Sequence, residues 1–171
     1  SGSISDWLRL YRSIMTFDSS AIPDTDVINS WTLSLSSEAG FKSDGLSVTP
    51  SIAVTVSAPA SNTALANGDF DSLTFTDIAT RIAYASWKVD STYNDLAGTD
   101  LTVINRTGYT RLGTMSGNYD LDNVEPGRPG NSLSSQVAIN STETAGTADD
   151  PLLTVSHGVT AVTFIPKLMF F

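Results

Sequence analysis

The chain has 171 residues, with no cysteine, a single histidine and a charged fraction of only 16%. Its net charge of −9 argues against nucleic acid or an anionic membrane as a partner, because a surface of that sign repels phosphate groups. The lack of cysteine excludes disulfides and thiol catalysis, and the sequence has no run of about 18 apolar residues, the length that a membrane span needs. Since catalysis usually needs a base, a nucleophile or a metal cluster, the composition favours a single non-enzymatic domain that binds or builds.

Alternating apolar and polar residues predict β-strands along the first half of the chain. Residues 8–17 carry apolar groups on both faces, which predicts a central strand between two layers. Residues 31–36 (WTLSLS) and 52–57 (IAVTVS) alternate with hydroxyl-bearing or small residues, which predicts strands with one buried face. We expect a loop over residues 40–45 and a turn at residues 67–69 (NGD).

The second half of the chain predicts further strands and one short helix. One strand is predicted to begin at Leu73 and another to lie within residues 82–87. A helical turn is expected only within residues 93–105, where Asp100 is predicted to cap a short helix over residues 101–104. Later strands are predicted at residues 111–115, 137–139 and 152–157, with long polar loops at residues 117–131 and 142–151.

Roughly eight to ten short strands, with turn signals every ~8–12 residues, indicate an all-β protein. The predicted architecture is an antiparallel jelly-roll β-sandwich with long polar loops. Residues 1–157 would form the sandwich. Residues 158–171 (GVTAVTFIPKLMFF) are the most apolar part of the chain and would form a C-terminal strand or tail.

Four runs occur in an order that resembles one family: YRSIMTFDSSAIPD, SAPASNTALANGDF, TGYTRLGTMSGNYDLDNVEP and GTADDPLLTVSH. Over about residues 7–157 the chain resembles jelly-roll modules of the DNRLRE type. These modules are similar to carbohydrate-binding-module sandwiches, and relatives are found in tailed-phage virion proteins and microbial surface proteins. The most specific matches are residues 17–20 (FDSS) and 150–155 (DPLLTV). Both set strand ends and turns, so the resemblance implies no catalytic residue.

Two departures from the family pattern point to contacts between subunits. Members usually have one or two further strands before the position of Trp7, so the resemblance predicts an open sheet edge here. The apolar tail after Gly158 lies outside the module. An open edge and a spare apolar strand are the parts that β-augmentation needs, although the tail would equally fill a gap in its own domain. The predicted interface residues are Phe164, Ile165, Leu168, Met169, Phe170, Phe171, Leu8 and Leu10.

Together these features predict a non-enzymatic structural subunit at a virion or extracellular surface. It would be a phage decoration, capsid-associated or tail-associated protein that forms a homo-oligomer or binds other subunits. The alternative is a carbohydrate-binding module that anchors a larger surface protein. Aromatic rings beside amides stack on sugars, so the predicted glycan contacts are Tyr93, Asn94 and Tyr119.

The acidic loop around Asp120, Asp122 and Glu125 offers oxygen ligands of the type that calcium prefers. Its spacing does not match an EF-hand, and the alternative interpretation is a solvated loop. No other cofactor is expected. His157 stands at a strand end without the partners of a catalytic triad, which favours a structural role.

Overall fold

The computed structural model describes residues 9–45, 50–125, 134–140 and 148–159. These ranges contain nine β-strands: β1 (Ser13–Asp18), β2 (Asp26–Leu35), β3 (Ser37–Asp44), β4 (Ser51–Val56), β5 (Ile82–Ala83), β6 (Asn94–Ala97), β7 (Tyr109–Ser116), β8 (Ser135–Ile139) and β9 (Leu152–Val159). Short 3-10 helices cover Asn67–Ser72, Tyr84–Ser86 and Leu101–Val103, and a π-helical turn covers Gly117–Leu121. None of the helices in these ranges has the length and apolar character needed to cross a membrane.

The strands form three antiparallel sheets. The first has the order β1-β7-β4-β5, the second β6-β2-β9, and the third pairs β3 with β8. The first two sheets pack face to face, so the protein is an all-β sandwich, as the alternating pattern predicts.

The main core lies between the first two sheets. From β2 it takes Trp31, Leu33 and Leu35, and from the facing sheet it takes Val54 and Leu112, all of them at most 1% exposed. Burying one such side chain contributes about 1.5–3 kcal/mol. The alternation predicted in β2 is therefore confirmed, because the residues between these positions face outward. The prediction of a single buried face is wrong for β4, where Ala53 and Thr55 on the opposite face are also 0% exposed.

The first sheet also carries apolar groups on its outer face. Met115 and Ala53 form a second small cluster there with Leu73, and Ile14 and Leu121 pack against it. This cluster accounts for the apolar residues predicted on both faces of the first strand. The prediction that this strand is central in its sheet is wrong. Among the described residues β1 pairs with β7 alone, and its outer face is covered by short helical segments rather than by another sheet.

The helical prediction is confirmed where a side chain caps the chain locally. The Asp100 carboxylate accepts a hydrogen bond of 2.9 Å from the Thr102 amide and starts the 3-10 helix Leu101–Val103. The loop predicted at residues 40–45 is wrong, because β3 extends to Asp44 and pairs with β8.

The strand predicted to begin at Leu73 is wrong. Leu73 forms only an isolated bridge with Ser57, after a 3-10 helix that replaces the turn predicted at residues 67–69. The sequence does not predict strand β6, which lies within residues 93–105, where only a helical turn is expected. Its backbone pairs with β2, a partner far away in sequence.

Candidate functional site

The end strands of the two main sheets, β1 and β9, border the same side of the sandwich. Between them lies a cleft of about 450 Å³. One wall is the end of β1 and the turn that follows it, and the other wall is the inward face of β9. The lining residues are Thr16, Phe17, Asp18, Ser19, Ala21, Ile22, Leu153, Val155 and His157. We call this feature the edge cleft.

The apolar residues of the edge cleft are incompletely covered. Phe17, Leu153 and Val155 pack against the main core but are only half-buried. Their counterparts in the middle of the sandwich, such as Leu33, are fully buried. Alternation along β9 places Leu153 and Val155 on the inward face, and the sheet has no further strand beyond β9 among the described residues. The edge cleft is therefore the apolar end of the core, open to solvent.

A histidine–aspartate contact lies at one end of the edge cleft. His157 Nδ1 is 2.7 Å from the Asp26 carboxylate, whose side chain is 10% exposed. Since Asp26 begins β2 and His157 is near the end of β9, this contact joins the two strand ends. Arg106 donates a hydrogen bond to the backbone carbonyl of Asp26. The structural role predicted for His157 stays a prediction.

The predicted interface residues are only partly visible. Leu10 is half-buried just before β1. Leu8 and all the predicted tail residues lie outside the described residues, so their role stays a prediction. Ile22 in the cleft wall was not predicted, because the Ser, Pro and Asp residues around it indicate only a turn. The sequence signal for this role is an isolated apolar residue within a polar turn.

The predicted glycan contacts are placed differently from expectation. Tyr119 is 3% exposed and Asn94 is 2% exposed, so neither is a loop residue that faces solvent. The Asn94 side-chain amide donates to the Leu35 and Lys88 carbonyls and so fixes the backbone. Tyr93 anchors a loop, because its hydroxyl donates to the carbonyl of Ala148 at 2.8 Å. The prediction of solvent-facing contacts is thus wrong for Tyr119 and Asn94.

The carboxylates of the acidic loop have arginine partners. Asp120 accepts two hydrogen bonds from Arg12, at 2.7 and 2.8 Å. Asp122 accepts two from Arg81, at 2.6 and 2.7 Å, and this contact lowers the Asp122 pKa.

Glu125 is exposed and shares neither arginine. In the part of the chain that the structure describes, no three acidic, histidine or cysteine side chains are grouped to hold a metal ion. Guanidinium groups contact the oxygens of both aspartates, so a cation would have to compete with them, and the calcium site at Asp120, Asp122 and Glu125 stays a prediction.

The fold and the cleft define an all-β sandwich with an open apolar side. No known protein family, curated protein or solved structure matches this chain. The resemblance to DNRLRE-type modules, and the jelly-roll strand order that it implies, therefore stay predictions.

Proposed function

We propose that this chain is a non-enzymatic structural subunit of a virion or other extracellular assembly, and that it self-associates through the edge cleft. The observation that carries the proposal is the shared position of β1 and β9. Both main sheets end on the same side of the sandwich, with half-buried apolar residues between the ends. A strand from another subunit would cover this opening.

Both edge strands lack two of the usual protections against pairing, although the β2–β9 ladder has an irregular register between Ile28 and Ser30. Natural edge strands are commonly blocked by lysine, proline or bulges. Neither β1 (SIMTFD) nor β9 (LLTVSHGV) contains lysine or proline, and the one carboxylate is Asp18, at the end of β1. Their outward backbone groups can therefore pair with an added strand.

The proposed occupant is residues 161–171 (AVTFIPKLMFF) of a second copy. This segment is apolar, and its one charged side chain, Lys167, is complementary to a chain with a net charge of −9. It follows Val159, which is 81% exposed at the end of β9. To lie in its own cleft the chain would have to reverse at once. Residues 160–162 (TAV) contain none of the Gly, Asn, Asp or Pro residues that tight turns favour, so we favour exchange between copies.

Exchange of this kind closes a two-fold dimer when it is reciprocal, and it builds rings or open chains when each tail enters the next copy. Two variants test the tail and the edge cleft separately. Deletion of residues 160–171 leaves a cleft without an occupant. Ala21→Trp fills the cleft from an exposed position, where a substitution changes stability by about 0.5 kcal/mol or less. We expect each variant alone to be a monomer and their mixture to form a 1:1 dimer in sedimentation velocity.

Ala97→Trp provides the matched control, because Ala97 is exposed on β6, away from the cleft. This variant should assemble like the wild type. A wild-type chain that stays monomeric at high concentration would overturn the proposal. Assembly by the Ala21→Trp chain alone would also contradict it.

A further inference from the structure

We propose that Asn67 is a site of spontaneous covalent modification, at which the folded chain loses ammonia and forms a succinimide with the Gly68 backbone nitrogen. Asn67 and Gly68 begin the 3-10 helix Asn67–Ser72, where both are exposed. They form the one Asn-Gly pair in the sequence. Glycine leaves the attacking nitrogen unshielded because it has no side chain. Since a Cβ atom at position 68 would meet nothing within 4 Å, the fold adds no shield of its own.

The two groups that must react have no competing hydrogen bond in the described part of the chain. The attack needs the Asn67 carboxamide and the Gly68 backbone nitrogen, and neither is bonded to a described residue. The first N–H groups of a helix have no partner within it. The first backbone hydrogen bond of this helix accordingly comes from the Asp69 amide, which donates to the Ala66 carbonyl at 2.9 Å. The Asn-Gly pair is therefore open to reaction in the folded chain.

The other described asparagines lack this combination of features. Asn29 lies inside β2, where the sheet restrains the backbone. Asn123 is exposed, but the nitrogen that would attack its side chain is the Val124 amide, which donates a hydrogen bond of 3.0 Å to the Asn118 carbonyl. Hydrogen bonds hold the carboxamides of Asn62, Asn94, Asn105, Asn118 and Asn140. The structure therefore singles out Asn67.

The reaction needs no reagent besides water. The Gly68 nitrogen gives up its proton and attacks the Asn67 Cγ atom, so that an N–Cγ bond forms within one chain at high effective concentration. The Cγ–Nδ2 bond breaks, and the leaving nitrogen takes up a proton and departs as ammonia. Water then adds across one of the two ring C–N bonds. Opening on one side gives aspartate, and opening on the other gives isoaspartate, in which the main chain passes through Cβ and Cγ.

The 3-10 helix opens locally because little apolar packing holds it. Of its six residues only Asp69 is buried, and its largest apolar side chain, Phe70, is 40% exposed. The helix is held instead by hydrogen bonds that the Ala60 and Ala66 amides donate to the Asp69 carboxylate. Segments with few buried apolar contacts open at low cost in free energy. Such opening lets the Asn67 side chain rotate onto the Gly68 nitrogen.

Isoaspartate at position 67 should in turn loosen this helix. Ala66 and Asp69 are joined by two hydrogen bonds, from the Asp69 amide at 2.9 Å and to the Asp69 carboxylate at 2.8 Å. The modification inserts one methylene into the main chain between these residues, so the two bonds can no longer both align. It also adds a negative charge beside the Asp69 carboxylate. We expect faster hydrogen exchange at the Ala60 and Ala66 amides in modified chains.

The test is incubation of the folded full chain in mildly alkaline and mildly acidic buffers, followed by tryptic digestion and mass spectrometry. Residues 43–81 form one tryptic peptide, which carries both Asn62 and Asn67, so Asn62 is an internal control. We expect the mass gain of an amide-to-acid change at Asn67 and not at Asn62. The rate should rise with pH, because the attacking nitrogen must lose its proton.

Two variants check the chemistry, and thermal melting confirms that each is folded. Gly68→Ala should react at least about tenfold more slowly, because its methyl group crowds the attacking nitrogen. Asn67→Gln should show no gain at position 67, because its longer side chain does not close the five-membered ring.

The urea-unfolded chain is the positive control for the reaction. If it reacts at Asn67 while the folded chain does not, the fold protects the pair and the proposal is overturned. Equal gains at Asn62 and Asn67 in the folded chain would also contradict it. Modified chains can be separated by anion exchange through their added charge. Unchanged exchange of the Ala60 and Ala66 amides in that fraction would contradict the loosening of the helix.

Discussion

The Arg12–Asp120 pair joins the residue before β1 to the π-helical turn after β7. Both side chains are buried, at only 7% and 4% exposed. The hydrogen bonds that Arg12 donates to Asp120 raise the Arg12 pKa, so the guanidinium stays charged. Removal of one partner from a buried pair is costly because the other charge loses its compensation, and among the described residues Arg12 would keep only the exposed Asp71 carboxylate, 3.8 Å away, as a counter-charge. We expect Asp120→Ala to lower the free energy of unfolding by about 3–5 kcal/mol, as measured by urea denaturation.

Asp122→Ala is the matched control for this prediction. It breaks a similar bidentate contact with Arg81, but the two side chains are 26% and 41% exposed. Water can solvate the groups that remain, so the expected loss is about 0–1 kcal/mol. Equal losses of unfolding free energy in Asp120→Ala and Asp122→Ala would show that burial does not determine how strongly these pairs stabilise the fold.

Gly98 allows the Trp31 ring to pack directly against the backbone. A Cβ atom at position 98 would lie 2.0 Å from the Trp31 ring, and Trp31 is held in place by a hydrogen bond to the Asp100 carbonyl. Gly98→Ala should therefore lower the free energy of unfolding by about 1–3 kcal/mol.

A second glycine provides the contrast for thermal or urea denaturation. A Cβ at Gly68 would meet no atom within 4 Å. Because alanine also reduces the entropy of the unfolded chain, Gly68→Ala should be neutral or stabilising by about 0.4–1 kcal/mol. A larger loss of unfolding free energy for Gly68→Ala than for Gly98→Ala would contradict the packing of Trp31 against Gly98.

Acid should weaken the fold through its aspartates. The amides of Ala60 and Ala66 lower the Asp69 pKa, whereas the ordinary value in an unfolded chain is about 3.9. The contribution of this carboxylate is thus present above about pH 5 and is lost as the pH falls through the lowered pKa. The same direction holds for Asp18, Asp90, Asp100 and Asp122.

We expect the melting temperature to fall steadily below about pH 5, as followed by circular dichroism. Asp69→Asn should be less stable at neutral pH and should show a shallower decline in acid, because the amide does not titrate. An unchanged slope would mean that the hydrogen bonds to Asp69 do not depend on its charge.

At the scale of the element, β1 and β9 differ from the strands that they flank. Strands β7 and β2 have a neighbour on each side, whereas β1 and β9 each have one neighbour among the described residues. In hydrogen exchange of the monomeric 160–171 deletion variant, β2 and β7 should exchange slowly. The outward amides of β1 or β9 should exchange quickly.

The assembled wild-type chain should protect those same edge amides, because an added strand pairs with them. Exchange in β6, the other end of the second sheet, serves as the internal control and should not change. Protection confined to β6 would move the interface to the opposite side of the sandwich.

The elements that the sequence predicts correctly carry their signal locally. Alternation in β2 identifies the buried face, and Asp100 identifies a helix start from a contact two residues away. Strands β3 and β6 lack this signal, because their pairing depends on β8 and β2, which are remote in sequence.

The candidate site was predictable to the same limited extent. The resemblance implies an open sheet edge, whereas the apolar residues of the first strand predict a central position. The roles of Asp120 and Tyr119 do not follow from the sequence, because local acidity or aromaticity does not reveal an arginine 108 residues away or burial by the facing layers. The exposure of Phe70 likewise depends on how a 3-10 helix packs over the sheet.

For the whole molecule, charge opposes assembly while apolar contact favours it. Each copy carries a net charge of −9, so approaching copies repel each other. This repulsion decays over about 30 Å at 0.01 M salt and over about 8 Å at 0.15 M salt. We expect sedimentation velocity to show stronger association at the higher salt concentration. Weaker association there would indicate a contact made mainly of ion pairs.

The pairing of β2 with β9 also determines when the molecule can fold. Ile28 lies opposite His157 in the last of the described strands. During synthesis this edge of β2 therefore stays unpaired until β9 has left the ribosome, and such distant pairings form slowly. A product that ends before β9 exposes an unpaired strand edge, which favours aggregation.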